Sequence, residues 1–214
     1  MFLTLLLLII AYLLGSIPSA VWIGKSVKGI DVRNFGSGNA GTTNAIRTLG
    51  LKNGLLVLII DCSKGFLAVM LSKIFVPELS NDNLLMIYRF TLAILAVVGH
   101  IFPVFAKFKG GKGIATFMGA IFALMPLPIL LAIGVFIIVF LFTQIVSISS
   151  VIAAVSFPWL CLIFGRYNDI YHVGFAIVAA ISVLITHRNN IIRLLNGTEP
   201  RLYLHINNHK KKSK

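Results

Sequence analysis

Acidic residues are scarce in this chain, which has 6 Asp and Glu against 19 Lys and Arg in 214 residues. Charged residues amount to 12%, where an ordinary soluble domain has about a quarter. Hydrophobic residues make up 58%, and the mean hydropathy is +0.96. This composition excludes a typical soluble domain and indicates an integral membrane protein.

Cysteine is almost absent as well. Cys62 and Cys161 both lie in apolar surroundings and lack metal-ligand spacing. The sequence therefore predicts neither a disulfide framework nor a zinc site. We interpret both thiols as small apolar packing groups.

The N-terminal run MFLTLLLLIIAYLLG has no basic segment before it and no small-residue cleavage site after it. We therefore expect a retained first helix rather than a signal peptide. Nucleic-acid binding does not explain the net charge of +13, because such binding requires a basic patch on a soluble surface. The positive-inside rule of membrane proteins supplies the explanation, so we expect no nucleic-acid partner.

Long hydrophobic runs dominate the sequence, and a membrane-spanning helix needs about 20 apolar residues. The runs cover residues 2–24, 54–72, 86–106, 114–125, 128–146, 148–164 and 172–186. The sequence predicts an all-α polytopic membrane protein with seven transmembrane helices and one domain, residues 1–214. The tetrapeptide MPLP at 125–128 is predicted to be a tight turn between two of these helices.

Basic residues concentrate in three connections, 25–52, 107–112 and 187–214. With seven spans these three lie on one side, which predicts an external N-terminus and a cytoplasmic C-terminus. Within the last connection, the apolar stripe of 187–209 predicts an interfacial amphipathic segment. The basic tail 210–214 is expected to contact anionic lipid headgroups.

The segment GSGNAGTTNAIR at 36–47 has the composition of an anion site. Gly36, Gly38 and Gly41 allow positive φ and a nest of main-chain N–H groups. Arg47 offers a planar fork for phosphate, and a helix opening at TTNAIR would favour the same anion. Short polar side chains accompany them: Ser37, Asn39, Thr42, Thr43 and Asn44. The alternative is a merely flexible polar loop.

A second segment, KFKGGKG at 107–113, combines lysines with glycines just before a predicted helix. Glycine amides at a helix N-terminus beside Lys112 again predict a phosphate site. The segment is not a Walker A loop, because Ala106 stands in place of the first glycine and Gly113 in place of Ser or Thr. The alternative interpretation, lysines at a membrane edge, leaves Gly110 and Gly111 unexplained.

Four further groups are candidates. His100 near the end of a membrane helix is either functional or a structural hydrogen-bonding group. Asp61 and Lys64, one turn apart, are predicted to neutralise each other inside the membrane. Near the next cytoplasmic turn, Ser147, Ser149 and Ser150 either bind a ligand or cap a helix. His187 and Asn190 share a helix face, with Arg193 one turn further along it.

These groups predict a site for phosphorylated substrates at the cytoplasmic membrane edge, one of them carrying an acyl chain that stays in the bilayer. A phosphate-ester transporter is the main alternative, although transporters place such sites near the midplane and often contain inverted repeats. A lipid-binding scaffold without catalysis is a third, which would need no pair of phosphate sites.

The motifs GSGNAGTTNAIR, GHIFPVFAKFKGGKGIAT and HRNNIIRLLNGTE resemble the acyl-phosphate-dependent glycerol-3-phosphate acyltransferases of bacteria, the PlsY family. The resemblance covers nearly the whole chain. It implies a seven-helix enzyme of the bacterial cytoplasmic membrane, with its active site at the cytoplasmic face. Such an enzyme moves an acyl group from acyl phosphate to the 1-hydroxyl of sn-glycerol 3-phosphate, without metal or cofactor. A monomer is compatible with the resemblance.

On this basis we assign two groups of site residues. The catalytic group is Ser37, Arg47, Lys112, His187 and Asn190. The substrate-binding group is Gly38, Asn39, Thr42, Thr43, Asn44, His100, Gly110, Gly111, Gly113, Ser147 and Ser150. The chain departs from the family pattern at Gln144 and Ile145, where an aromatic residue is usual before the serine. It also lacks the His-x4-Asp box of other glycerolipid acyltransferases.

Overall fold

The computed structural model describes residues 2–76 and 81–202, and in these ranges the protein is helical without strands. Ten α-helices follow one another: α1 Phe2–Gly15, α2 Ser19–Lys28, α3 Thr42–Leu49, α4 Leu51–Phe75, α5 Asp82–Ile101, α6 Ile114–Leu124, α7 Pro126–Thr143, α8 Val146–Ile163, α9 Ile170–Thr186 and α10 Arg188–Leu195. The predicted basic tail 210–214, and residues 203–209 of the predicted interfacial segment, lie outside the described residues.

Five segments of the described chain are long and apolar enough to cross a membrane. They are Phe2–Lys28, Leu51–Phe75, Asp82–Ala106, Pro126–Thr143 and Val146–Ile163. Helices α9 and α10, bent by 61° from each other, form a sixth candidate if taken as one broken span. Helix α6 is apolar but has only 11 residues. The all-helical membrane architecture is thus confirmed, whereas seven complete crossings and the orientation of the termini stay predictions.

The helix ends follow local sequence rules. Met125 alone separates α6 from α7, so the chain does turn within the predicted MPLP segment, but the other three residues of that segment already belong to α7. Pro126 occupies the first position of α7, where its missing N–H costs nothing. The side chains of Asn81 and Asp169 accept hydrogen bonds from main-chain N–H groups at the starts of α5 and α9.

Glycines bring several helix backbones into direct contact. A Cβ atom on Gly65 of α4 would lie 2.0 Å from the Thr116 oxygen of α6. A Cβ atom on Gly15 of α1 would lie 2.0 Å from the Ala96 oxygen of α5, and one on Gly99 would lie 2.2 Å from the Tyr12 oxygen. Small residues at crossings are the usual means by which membrane helices approach closely. Helices α1, α4, α5 and α6 therefore form the tight part of the bundle.

A buried ion pair lies inside this tight part. Lys64 Nζ is 2.9 Å from Asp61 Oδ1, and the two side chains are 3% and 1% exposed. The Ser19 hydroxyl donates to the same carboxylate oxygen at 2.6 Å, and Lys64 also donates to the Ile17 carbonyl at the break between α1 and α2. The predicted mutual neutralisation of Asp61 and Lys64 is confirmed. The pair fixes α2, and hence the polar loop that follows it, to α4.

Helix α7 is the peripheral member of the bundle. Its buried residues are confined to its first half, at Pro128, Ile129 and Ala132. Its last turns carry side chains such as Phe142, which is 87% exposed. Ile133, Phe136 and Phe140 of α7 line a cavity whose other walls include residues of α6, α8 and α9.

Candidate active site

A cavity of about 630 Å³ opens between the polar loops and runs along α6, α7, α8 and α9. Its mouth is lined by polar and charged side chains, among them Ser37, Arg47, Lys112, His187, Asn190, Arg193 and Glu199. Further in, its walls are apolar. The three connections predicted to gather on one face therefore do meet around a single cavity.

Asn44 shapes the first polar loop from within. Its side chain is buried, its Oδ1 accepts from the Ser37 N–H at 2.9 Å, and its Nδ2 donates to the Val32 and Phe35 carbonyls. Because these bonds use the side-chain amide, we assign Asn44 to positioning the loop rather than to the predicted substrate contact. Gly36 is required beside it, since a Cβ atom there would lie 2.3 Å from Asn44 Oδ1.

The predicted anion nest differs in detail from the observed loop. Gly36 and Gly38 have the expected positive φ of 60° and 72°, but Gly41 has φ −122° because it is the extended residue before α3. The N–H groups of Ser37 and Gly38 donate within the protein, to Asn44 and to the Phe35 carbonyl. The helix predicted at TTNAIR is confirmed as α3, and the N–H groups of its first turn have no intrahelical acceptor. Thr42, Thr43 and Asn39 line the cavity beside them.

The glycines of the second loop serve close packing. Gly110 N–H donates to the Ile101 carbonyl and Gly111 N–H to the His100 carbonyl, both at 3.1 Å. Cβ atoms on these glycines would lie 1.9 Å from the His100 oxygen and 2.2 Å from His100 Nε2. The prediction that their amides bind phosphate is therefore wrong, because the loop folds back onto the end of α5. Gly113, with φ 82°, precedes α6 as predicted.

Among the lysines of this loop, Lys112 is the one that lines the cavity. Lys107 and Lys109 are exposed, so the interpretation as membrane-edge lysines fits them. Arg33 ties the two loops together by donating to the carbonyls of Ala106 and Lys109 at 2.9 and 3.1 Å, while it pairs with Asp31. Sequence reasoning did not assign Arg33, since its carbonyl partners lie more than 70 positions away.

Lys112 donates to the side-chain oxygen of Asn190, which joins the second loop to α10. Burial lowers the pKa of Lys112 to about 8, and the nearby guanidinium groups of Arg193 and Arg47 add to this shift. The carboxylate of Glu199 opposes it. Lys112 is therefore a cation that loses its proton as the pH rises through about 8.

Glu199 is the main functional residue that sequence reasoning missed. Its carboxylate is 5% exposed and accepts from Ser147 at 2.8 Å, from Asn190 at 2.6 Å and from Arg193 at 2.7 Å. Burial opposes ionisation, but these three hydrogen bonds outweigh it and lower the pKa of Glu199. An ionised carboxylate thus stands among the cations of the cavity mouth. Its position in the motif HRNNIIRLLNGTE was the one available signal.

His187 lies at the bend between α9 and α10 and is 2% exposed. Its Nδ1 is 2.9 Å from the Val183 carbonyl. A carbonyl can only accept, so Nδ1 carries the proton and Nε2 carries a lone pair. Among the described residues no partner engages Nε2, and His187 lines the cavity. His187 therefore contributes an imidazole with an unprotonated nitrogen to the lining of the cavity.

The remaining predicted residues divide between the cavity and the scaffold. Arg47 lines the cavity and donates to the Pro200 carbonyl at 3.2 Å. His100 also lines it, with Nδ1 3.6 Å from Asp61 Oδ1. The hydroxyl of Ser150 donates to the Val146 carbonyl of its own helix, so Ser147 is the serine that reaches another site side chain. The described residues contain no group of three or more His, Cys, Asp or Glu side chains that could hold a metal.

Comparison with known proteins decides the family. The family model described as glycerol-3-phosphate acyltransferase matches residues 5–197. This chain belongs to the glycerol-3-phosphate acyltransferase family. A glycerol-3-phosphate acyltransferase of Salinibacter ruber is 41% identical over 92% of this chain and 91% of that protein. One of Fusobacterium nucleatum is also 41% identical, over 90% of this chain and 94% of that protein.

Two solved structures of the family have the same fold. Both are PlsY (YgiH), an integral membrane glycerol 3-phosphate acyltransferase, one in its glycerol 3-phosphate form and one in its lysophosphatidic acid form. Each is 38% identical to this chain with a TM-score of 0.81, and covers 94% of it. The match includes 96% and 95% of the two solved chains. The resemblance of the sequence motifs to the PlsY family is thereby confirmed.

Proposed function

We propose that this protein transfers a fatty acyl group from acyl phosphate to the 1-hydroxyl of sn-glycerol 3-phosphate. The products are 1-acyl-sn-glycerol 3-phosphate (lysophosphatidic acid) and inorganic phosphate. The observation that carries the proposal is one cavity with a cationic mouth and an apolar interior. The mouth suits two phosphorylated groups, and the interior suits an acyl chain. The glycerol 3-phosphate and lysophosphatidic acid forms of the PlsY structures agree with this assignment.

In this proposal the polar residues of the mouth divide between the two substrates. Ser37 and Asn39, with the first-turn N–H groups of α3, face the acyl phosphate together with Lys112. Arg47, His187 and Asn190 orient glycerol 3-phosphate. The planar guanidinium of Arg47 matches the geometry of a phosphate, which a lysine would not reproduce. Glu199 holds Asn190 and Arg193 in place between the two groups.

The reaction itself needs few protein groups, because acyl phosphate is already activated. The 1-hydroxyl oxygen forms a bond to the acyl carbon, the bond from that carbon to the phosphate oxygen breaks, and phosphate leaves. The hydroxyl proton passes to His187 Nε2 or to a phosphate oxygen of the substrate. Positioning of the two reactants accounts for up to about 7–11 kcal/mol of the barrier. A preorganised cation such as Lys112 at the leaving phosphate adds about 3–4 kcal/mol.

The proposed location is the bacterial cytoplasmic membrane, with the cavity mouth on the cytoplasmic side. The basic connections 25–52 and 107–112 and the segment after α9 all belong to this end of the molecule, as the positive-inside rule requires of a cytoplasmic face. A transporter is less compatible with the cavity, because its charged residues collect at one end instead of at the bilayer midplane.

The test is a reconstituted reaction. The purified protein in detergent is incubated with labelled glycerol 3-phosphate and synthetic acyl phosphate, acyl-CoA or acyl carrier protein thioester in separate reactions, and lysophosphatidic acid is measured. We expect product with acyl phosphate alone. Detergent removes any transport signal, so lack of product with all three donors would reject catalysis. Product with a thioester in place of acyl phosphate would reject the proposed donor.

A further inference from the structure

The apolar part of the cavity has an ordered depth. Along α8, the cavity-lining residues run from Ser147 and Ser150 through Ala154 to Phe157. At a rise of 1.5 Å per residue, Phe157 lies about 15 Å from Ser147 along the helix. Helix α7 runs in the opposite direction and lines the same depth from Phe140 at the mouth to Ile129.

Small residues gather at one depth of the groove, beside larger lining side chains such as Ile133 and Phe136. The middle of the groove is lined by alanines from three helices: Ala132 of α7, Ala153 and Ala154 of α8, and Ala179 and Ala180 of α9. The inner end is closed by larger side chains that belong to the main apolar core. These are Phe157, Ile121 and Ile129, which are 3%, 4% and 8% exposed.

Beyond this layer the core continues without a further lining residue of the cavity. Phe175 and Ala176 pack in the same core cluster as Phe157, but neither lines the cavity. The groove thus has a floor, and a chain that starts at the cationic mouth meets that floor at a fixed distance.

We infer that Phe157, with Ile121 and Ile129, limits the length of the acyl chain that this protein transfers, and that Ala154 keeps the groove above this floor open. The inference rests on the proposed function, since it assigns the groove to the acyl phosphate. It makes Phe157 and Ala154 determinants of specificity and gives neither of them a part in the chemistry. A shorter groove would select shorter acyl phosphates, and a deeper one would admit longer ones.

The experiment compares a variant whose groove is blocked by an added aromatic ring with a control variant whose groove stays open. Ala154→Phe introduces a ring inside the groove, and the matched control Val155→Phe introduces the same ring one position along, where the native side chain is 45% exposed and does not line the cavity. For each protein, kcat/KM is measured with acyl phosphates of about 8, about 12 and about 16 carbons. One methylene more or less in an apolar pocket changes kcat/KM by about 10–200-fold at most.

We expect Ala154→Phe to lower the ratio of long-chain to short-chain kcat/KM by about tenfold or more, with little change for the shortest donor. Val155→Phe keeps the native ratio. Phe157→Ala moves the ratio the other way, and its folding is checked by size-exclusion elution and by its rate with the shortest donor. If Phe157→Ala does not fold, the pair Ala154→Phe and Val155→Phe decides.

Failure of this inference and failure of the proposed function give different results. If the unsubstituted protein makes no product from any acyl phosphate, the proposed function is wrong. If it makes product but Ala154→Phe and Val155→Phe share one chain-length profile, the floor is not the determinant. An equal loss for every chain length in Ala154→Phe would also overturn the inference, because a length limit acts on long chains alone.

Discussion

The side-chain amide of Asn190 donates a hydrogen bond to Glu199 Oε1 at 2.6 Å, across nine residues of chain. The oxygen of the same amide accepts from Lys112. Asn190 is therefore fixed from both sides, by an anion and by a cation. This relationship makes the cavity mouth a single network in which the charge of one member changes the properties of the others.

Glu199→Gln tests this network. Glutamine keeps the shape but loses the negative charge, and its NH2 group cannot accept from Asn190 or Arg193. Loss of charge-assisted hydrogen bonds of about 1.5–3 kcal/mol predicts a decrease in kcat/KM of about 10–100-fold. The alkaline limb of the pH profile should also move to lower pH, because the Glu199 carboxylate raises the pKa of Lys112. The exposed-residue substitution Asp82→Asn is the control, and equal profiles in the two variants would contradict the prediction.

The pH dependence of substrate binding tests Lys112 directly. Below its pKa of about 8 the side chain is a cation, and above it the charge is lost. Because the substrates are anions, the KM for glycerol 3-phosphate or acyl phosphate should rise as the pH increases through about 8. Lys112→Arg stays charged throughout and should flatten this limb, even if its overall rate is lower. A limb that persists unchanged in the arginine variant belongs to another group.

His187→Ala tests proton transfer. General base catalysis contributes about 10²–10⁴-fold, so we expect kcat to fall within that range while KM changes less. The control is His172→Ala, which removes the histidine near the start of α9. Its imidazole lies 2.5 Å from the Asp169 carboxylate, and His172 is not among the residues that line the cavity. Near-normal turnover of His187→Ala at saturating substrate would exclude the base role and favour the phosphate oxygen as proton acceptor.

The ion pair between Asp61 and Lys64 is expected to matter for folding. Removing one partner leaves a buried charge uncompensated, which costs about 3–5 kcal/mol. Thermal unfolding in detergent should therefore give a much lower unfolding temperature for Lys64→Met than for the unsubstituted protein. The double variant Asp61→Asn with Lys64→Met should regain much of the lost stability. Lys52→Met, at an exposed lysine, is the matched control. Additive losses in the double variant would mean that the pair is not coupled.

Much of this architecture could be predicted from sequence because its signals are local. Hydropathy located α6, α7, α8 and α9, along which the cavity runs. The three-residue spacing predicted the pair of Asp61 and Lys64, and the run TTNAIR predicted α3. The convergence of Lys112, His187 and Asn190 followed from charge alone, since basic loops of a membrane protein share one side.

The roles that depend on long-range contacts could not be predicted. A carboxylate such as Glu199 has no local signature, and its partner Ser147 is 52 positions away. The glycines at 110 and 111 resemble a phosphate-binding loop in sequence, but their N–H groups donate hydrogen bonds to carbonyls at the end of α5. Asn44 was predicted to contact the substrate because short amide side chains are common in binding loops. It is buried, and its amide bonds to the main chain instead. Likewise, the depth of the groove depends on how α7 and α8 pair.

The backbone contacts at Gly15, Gly65 and Gly99 have a consequence for natural variation. A methyl group added at any of these positions would meet a carbonyl of the neighbouring helix, and no rotamer change can relieve such an overlap. Harmful substitutions should therefore be found at glycines deep in the membrane-embedded scaffold, although these glycines take no part in the chemistry. A survey restricted to substrate contacts would miss them.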